Sequence, residues 1–316
     1  MEPLVYDVST SGHRARDASV VAKVVGGRTY FDAPRHSLSR LVRHRGPVVW
    51  QTADYQLRWF TLVAFLRSLR GRKTIAVCYR NNHQAGARFL PRVVRTFLFC
   101  AWNALPYCTA LTTCPAAPDH RSPEFLYDIE WWDMKAAPLP VVPLPPFAKT
   151  GKRLMFLGDP SHLKGIEFFI DCAATATARR IDWHFVLVGP IDALTPERKA
   201  KLIDADVSLI SGPKDDAAFV SYARQADVVW CCYDPIYDQS SGVFGRALQL
   251  NKATIVRANS LLHACQRRYG QGIAVPYGDT NGLLDRLDSF PGGRDRAEDV
   301  LHMYDQAAAK LRNLCN

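Results

Sequence analysis

Short apolar runs rich in Val, Ile and aromatic residues alternate with stretches of helical period along the whole chain. Leu4 to Val8, Arg28 to Phe31, Val48 to Thr52, Thr74 to Tyr79 and Ala110 to Thr113 read as buried strands, each closed by a polar or Gly-containing loop. Between them lie helical segments such as Arg58 to Arg70, stopped by Gly71, and Arg88 to Leu105, which carries Pro91 in its first turn. Farther on, Arg153 to Leu157, His184 to Val188, Val207 to Ile210, Val228 to Cys232, Thr254 to Val256 and Ile273 to Val275 read as strands in the same way. An amphipathic helix from about Ala297 to Leu314 closes the chain. Alternation of this kind predicts parallel sheets with helices on both faces.

The run from Ala136 to Pro146 carries five prolines and can neither continue a helix nor sit inside a sheet. It reads as a linker, 136–146, which ends a first domain at 1–146 and leaves 147–316 as a second. The predicted fold class is therefore α/β, with two doubly wound Rossmann-like domains facing a cleft. Ligands of such sheets bind outside the carboxyl ends of the strands.

Composition sharpens this picture in two places. The net charge of +10 is uneven: residues 1–117 hold 17 Lys and Arg against 5 Asp and Glu, whereas 147–316 hold 21 against 20. The basic half therefore points to an anionic partner, whether nucleic acid, an acidic membrane surface or a phosphorylated substrate. Nine cysteines fall at no spacing that frames a zinc site or a disulfide scaffold, and they read as reduced, packed thiols. Arginines interrupt every apolar stretch before it reaches membrane-spanning length, and the amino terminus reads as a strand rather than a secretory signal. A cytoplasmic protein is the expectation.

The densest candidate chemistry lies between Val228 and Val256. An apolar strand runs into a polar loop containing Tyr233 and Asp238, the loop ends in Ser240-Ser241-Gly242-Val243, and a helix starts there. Free N–H groups at a helix start, with the positive end of the macrodipole behind them, suit a phosphate. Gly242 lets a backbone approach closely, and the serine hydroxyls add donors. The strand ending at Leu157 leads into Gly158-Asp159-Pro160-Ser161-His162-Leu163-Lys164-Gly165, where the Lys164 ammonium can meet an anion already held by amides. The next two strands end in Val188-Gly189-Pro190 and Ser211-Gly212-Pro213-Lys214. Four strand ends can thus surround a diphosphate and a base.

In this order the residues of the second half resemble the nucleotide-sugar-binding domain of GT-B glycosyltransferases, family 4 in particular. The matching positions are Gly158 with Lys164-Gly165, Val188-Gly189, Gly212-Pro213-Lys214, Ala226-Asp227-Val228, Ser240 to Val243, and Gly-Ile-Ala-Val-Pro-Tyr-Gly-Asp from Gly272 to Asp279. The chain departs from that pattern as well. Asp159 stands where Arg is frequent, Asp238 and Arg246 stand where two Glu are frequent, and Asn251 and Ala253 replace Gly and Pro. The resemblance implies a hexosyltransferase acting on a UDP- or GDP-linked sugar, with no further cofactor and no metal. It places the donor on Gly12, Gly158, Asp159, Lys164, Gly189, Gly212, Pro213, Lys214, Tyr233, Ser240, Ser241, Gly242, Val243 and Arg246. Lys164 and the helix start would neutralise the departing diphosphate. Arg246, lacking the Glu character expected there, either faces a phosphate or solvates the surface. Asp204-Ala205-Asp206 fits a metal-dependent Asp-X-Asp pattern but precedes a strand instead of following one, so chance explains it better.

In the first half, Ser11-Gly12-His13-Arg14 reads as a glycine loop, and Asp54 and His83 lie just past strand ends, where an acid or imidazole can deprotonate an acceptor hydroxyl. An ordinary polar loop residue is the commoner reading of each. With Lys164 and Asp238 they complete the catalytic candidates. The segments 58–73 and 88–105 combine arginines with Trp, Phe and Leu, which fits either peripheral membrane contact or buried helices with a solvated basic edge. The expected acceptor is a lipid-linked or polysaccharide glycan. A binding protein without catalysis is one alternative. A nucleic-acid-binding protein is another, and no helix-turn-helix, RNA-recognition or zinc signature supports it.

Overall fold

Runs of four to seven apolar residues bounded by turn formers are buried on both faces, and such strands pair in parallel under crossover helices. The computed structural model describes residues 1–10, 12–79, 89–112, 124–125, 143, 151–212, 216–292 and 297–316. Two compact units emerge, one formed by Met1–Asp133 with Leu301–Asn316, the other by Met134–Val300.

The first unit contains β1 (Leu4–Asp7), α1 (Gly12–Val25), β2 (Arg28–Phe31), α2 (Pro34–Arg43), β3 (Val48–Trp50), α3 (Leu57–Ser68), β4 (Thr74–Cys78), α4 (Phe89–Ala104), β5 (Cys108–Thr112) and β6 (Glu124–Phe125). Its sheet has the order β2-β1-β3-β4-β5-β6, parallel at every pairing. The core is a chain of edge-on aromatic contacts: Tyr6 on Trp50, Trp50 on Phe60, and Phe60 and Phe99 on Trp102.

The second unit contains β7 (Lys152–Leu157), α5 (Ile166–Ala178), β8 (Trp183–Gly189), α6 (Pro196–Asp204), β9 (Ser208–Ser211), α7 (Asp216–Gln225), β10 (Val228–Cys231), α8 (Gly242–Gln249), β11 (Ala253–Arg257), α9 (Leu261–Tyr269), β12 (Gly272–Val275) and α10 (Thr280–Asp288). Its parallel sheet runs β12-β11-β10-β7-β8-β9. Phe168, Phe169 and Trp230 pack beneath it. The strand order reverses at β7, which pairs with β8 on one side and β10 on the other. A reversal of this kind opens a crevice at the carboxyl ends, because the two chain crossings leave in opposite directions.

The last helix, α11 (Ala297–Cys315), returns to the first unit from Leu301 onward. Sequence alone places these residues in the second domain, 147–316. Ala307, Ala308 and Leu311 are buried, and Arg312 Nε donates to the Val24 carbonyl of α1 at 3.0 Å, so the helix completes the first unit's covering layer. The proline run 136–146 lies outside the described residues, apart from Leu144's neighbour Pro143.

Candidate functional site

The floor of the site is built by glycines at three adjacent strand ends. Gly158 donates to the Val188 carbonyl at 2.9 Å, and Gly212 donates to the Gly189 carbonyl at 2.7 Å. A Cβ on Gly189 would overlap the Gly158 carbonyl oxygen, and one on Gly212 would stand 2.8 Å from the Gly189 carbonyl carbon. No side chain fits on Gly189 or Gly212, so the ends of β8 and β9 present backbone there, and Gly158 at the end of β7 holds a left-handed φ of +100° that suits glycine. Gly158 looks toward α8: the nearest atom to a Cβ built on it is Val243 Cγ2, at 4.0 Å.

Lys164 reaches the same place through a tightly docked turn. Residues His162–Lys164 form a single 3-10 turn, and Gly165 follows at φ +77°. Trp230 Nε1 donates to the Lys164 carbonyl at 3.2 Å, and the Asp234 amide donates to the Leu163 carbonyl at 3.2 Å. The turn is thereby fixed to the end of β10. From it the Lys164 ammonium donates to the Tyr237 hydroxyl at 2.9 Å and lies 4.3 and 4.0 Å from the ring centroids of Tyr233 and Tyr237. The two rings stand perpendicular, with centroids 5.4 Å apart.

Tyr233 connects this cation to the helix start. Its hydroxyl lies 2.8 Å from Ser241 Oγ, and Ser241 caps α8 by accepting from the Phe244 amide at 3.4 Å. Burial raises the Tyr233 pKa well above the usual phenol range, so the ring stays neutral and presents its π face to the ammonium. Gly158, Lys164, Tyr233, Ser241 and Val243 are therefore gathered at the strand-order reversal. Ser240 is half-buried beside them, while Gly242 and Asp159 are exposed.

Other candidates have partners of their own. Asp238 is buried, accepts from the Leu261 amide at 2.8 Å and lies 3.3 Å from Arg257 Nη2, so it joins the loop after β10 to the start of α9. Arg246 is only 3% exposed and donates to Gln249 Oε1 at 2.6 Å, which corrects the surface-solvating alternative: its place in α8 faces the interior. Asp204 ends α6 and Asp206 precedes β9, at the amino edge of the sheet, opposite the glycine floor. Among the described residues, no group of three or more His, Cys, Asp or Glu could hold a metal ion. Pro213, Lys214 and His83 lie outside the described residues.

In the first unit, Gly12 is the first residue of α1, so the expected glycine loop is a helical turn. Asp54 sits inside the 3-10 turn Ala53–Tyr55 at 3% exposure, away from solvent. A feature that sequence reading missed lies beside it. The fully buried Asp7 carboxylate accepts from the Ser9 amide at 2.7 Å and from Thr52 Oγ1 at 2.7 Å, and pairs with Arg14 Nη2 at 2.9 Å. Arg14 also donates to Thr52 Oγ1 and lies over the Tyr55 ring at 5.3 Å. Thr52 holds a left-handed φ of +50°, an unusual backbone for a β-branched residue that these bonds offset. The available signal was Asp7 itself, a carboxylate ending an otherwise apolar strand.

The basic aromatic helices are two-sided. Phe60, Val63, Ala64 and Arg67 of α3 are buried, while Leu62, Phe65 and the following Leu69 are exposed, as is Phe97 of α4. Arg67 belongs to the core and not to a basic surface. No described helix is long and apolar enough to cross a membrane.

No family model matches this chain, and no curated protein matches it either. Solved structures do. The structure described as trehalose-6-phosphate from E. coli bound with UDP-2-fluoro glucose aligns with a TM-score of 0.62 at 9% identity, over 99% of this chain and 97% of that one. The S. aureus MnaA–UDP co-structure aligns at 0.55 and 12% identity, over 97% and 91%. Sucrose-phosphate synthase from Thermosynechococcus elongatus aligns at 0.55 and 12%, over 100% and 95%. At such identities the likeness is one of fold: two parallel-sheet α/β domains of the GT-B type.

Proposed function

We propose that this protein is a glycosyltransferase that takes a sugar from a nucleoside diphosphate donor held at the carboxyl ends of β7 to β10. The observation that carries the reading is the convergence of Lys164, the Ser241-capped start of α8 and the Gly158–Gly189–Gly212 floor at one strand-order reversal. Backbone amides and an ammonium oriented in advance stabilise charge as it builds on a departing diphosphate. They do so without reorganising. The GT-B fold, and the UDP-containing structures of that fold which this chain resembles, favour a UDP-linked donor.

Lys164 and the α8 amides take the diphosphate charge in this mechanism, so no metal is needed for that step. For the motif order we favour family 4 of the GT-B glycosyltransferases. The acceptor we favour is a lipid-linked or polysaccharide glycan, met at a membrane surface by the exposed Leu62, Phe65, Leu69 and Phe97 with Arg58 and Arg70. On this reading the protein works on the cytoplasmic side.

Titration with UDP and GDP, followed by transfer or hydrolysis assays with the matching sugar nucleotides, tests the proposal. Binding to one of them with turnover supports it. Binding without turnover over a broad acceptor panel selects a binding protein instead, and no binding to either refutes the donor site.

A further inference from the structure

Beside Lys164 the same turn carries a histidine backed by a buried carboxylate. His162 Nε2 lies 3.2 Å from Asp234 Oδ2; the imidazole is 58% exposed and the carboxylate only 9%. Asp234 Oδ1 is occupied by the Ile236 amide at 2.8 Å, so one oxygen is held by the backbone and the other is left to the ring. The loop itself is immobilised from both directions. Asp234 donates its amide to the Leu163 carbonyl, and Tyr237 donates its amide to the Asp234 carbonyl at 2.8 Å. His162 and Lys164 therefore grip one short loop, the first at Asp234 and the second at Tyr237.

Such backing has a chemical consequence. With the carboxylate ionised, the ring proton that faces it is on Nε2, and Nδ1 turns away from Asp234. A solvated surface histidine has no need of a buried acid. A departing nucleoside diphosphate carries more than one negative charge, Lys164 supplies a single positive one, and Asp159 at the head of the loop adds a negative one. A second cation beside Lys164 would correct that balance.

We infer that His162, aimed by Asp234, is a second cationic group of the diphosphate site: as imidazolium it donates from Nδ1 to the leaving diphosphate next to the Lys164 ammonium. This rests on the donor reading above. No bond to His162 forms or breaks, and the proton stays on the ring. Asp234 is a positioning residue that orients the ring. Among charged or titratable groups, Lys164 and Asp159 share its loop, Tyr237 of the facing loop holds Lys164, and Tyr277 after β12 couples to Asp234. Tyr277, whose hydroxyl burial pushes up to about 12, also feels Asp234 and Glu167. A histidine is the one side chain whose ordinary titration falls between about pH 5 and 8.

The test is the pH dependence of kcat and of UDP or GDP affinity in the full chain, for wild type, His162→Gln and Asp234→Asn. Wild-type turnover should fall as pH rises through the imidazole titration. His162→Gln, an exposed change that leaves the fold intact, should lose about ten- to a hundredfold at the acid end and lack the falling limb. Asp234→Asn should lower kcat while the falling limb persists, because the imidazole is still present but no longer aimed. A His162→Gln profile that superimposes on wild type overturns the assignment while the donor site stands. So does a wild-type rate that rises with pH and loses the rise in His162→Gln, since that marks a base. Failure of wild type to bind either nucleotide at any pH removes the donor site, and this inference with it.

Discussion

The Lys164 ammonium and the Tyr237 hydroxyl meet at 2.9 Å, and among the described residues no carboxylate pairs with that ammonium. Two aromatic faces and a phenol oxygen orient the charge without neutralising it. An exposed lysine on a polar surface is free to find a counter-ion, whereas the donor proposal needs this one to remain available to an anion.

Replacing Lys164 with Ala should therefore cripple chemistry and spare the fold. Losing one charge-assisted contact to the leaving group costs about 2 to 4 kcal/mol in the barrier, a fall in kcat of roughly thirty- to a thousandfold. Steady-state kinetics and a thermal melt check both halves. Turnover equal to wild type would remove Lys164 from the site.

Tyr237→Phe separates orientation from charge. The ring remains under the ammonium while the hydrogen bond disappears, so the expected loss is about 1 kcal/mol, under tenfold in kcat. Tyr233→Phe breaks the link to Ser241 instead and should weaken nucleotide binding by a similar factor, read by calorimetry. Equal and large losses in both would mean that the hydroxyls touch the donor directly.

Gly165→Ala tests the docking of the turn. At φ +77° any side chain is strained, and here the new Cβ would also overlap the Cys232 carbonyl oxygen. Gly278 has a similar φ of +87° with nothing within 4 Å, so Gly278→Ala carries the backbone strain alone. The second variant should lose about 1 kcal/mol and the first several, measured as shifts in urea midpoint. Matching midpoints would show that the turn is free to move off β10.

These relationships explain which parts were legible in the sequence. The strands at Val228, Thr254 and Ile273 could be read because continuous β-branched runs have few other fates. Gly158, Gly189 and Gly212 could be read because each closes such a run. Strand ends brought together by crossovers are non-local, however, and no local pattern shows that Tyr237 would reach Lys164 or that Asp234 would back His162. Asp54 shows the same limit: it follows a strand, but no local pattern shows that the turn Ala53–Tyr55 buries it. Arg246 and Arg67 show it too, since no local pattern reveals that a helical arginine is buried among its partners.

Arg67 yields the sharpest test of stability. Its guanidinium is fully buried and donates from Nε to Thr74 Oγ1 at 2.9 Å, from Nη1 to the Leu41 and His44 carbonyls at 2.8 and 2.7 Å, and from Nη2 to the Gly46 and Lys73 carbonyls at 2.7 and 2.8 Å. Leu41 and His44 belong to the end of α2, where helix carbonyls have no partner of their own, and Lys73 leads into β4. One side chain thus ties three segments together. Burial lowers its pKa to about 10, which still leaves it charged at neutral pH. An ammonium has three donors at one point and cannot span a fork of five acceptors. Arg67→Lys should therefore cost about 2 to 4 kcal/mol, and Arg67→Met, which strands all five acceptors, about 3 to 5 kcal/mol. Urea unfolding followed by far-UV circular dichroism reads both. A lysine variant with the wild-type midpoint would mean that water, rather than Arg67, satisfies those carbonyls.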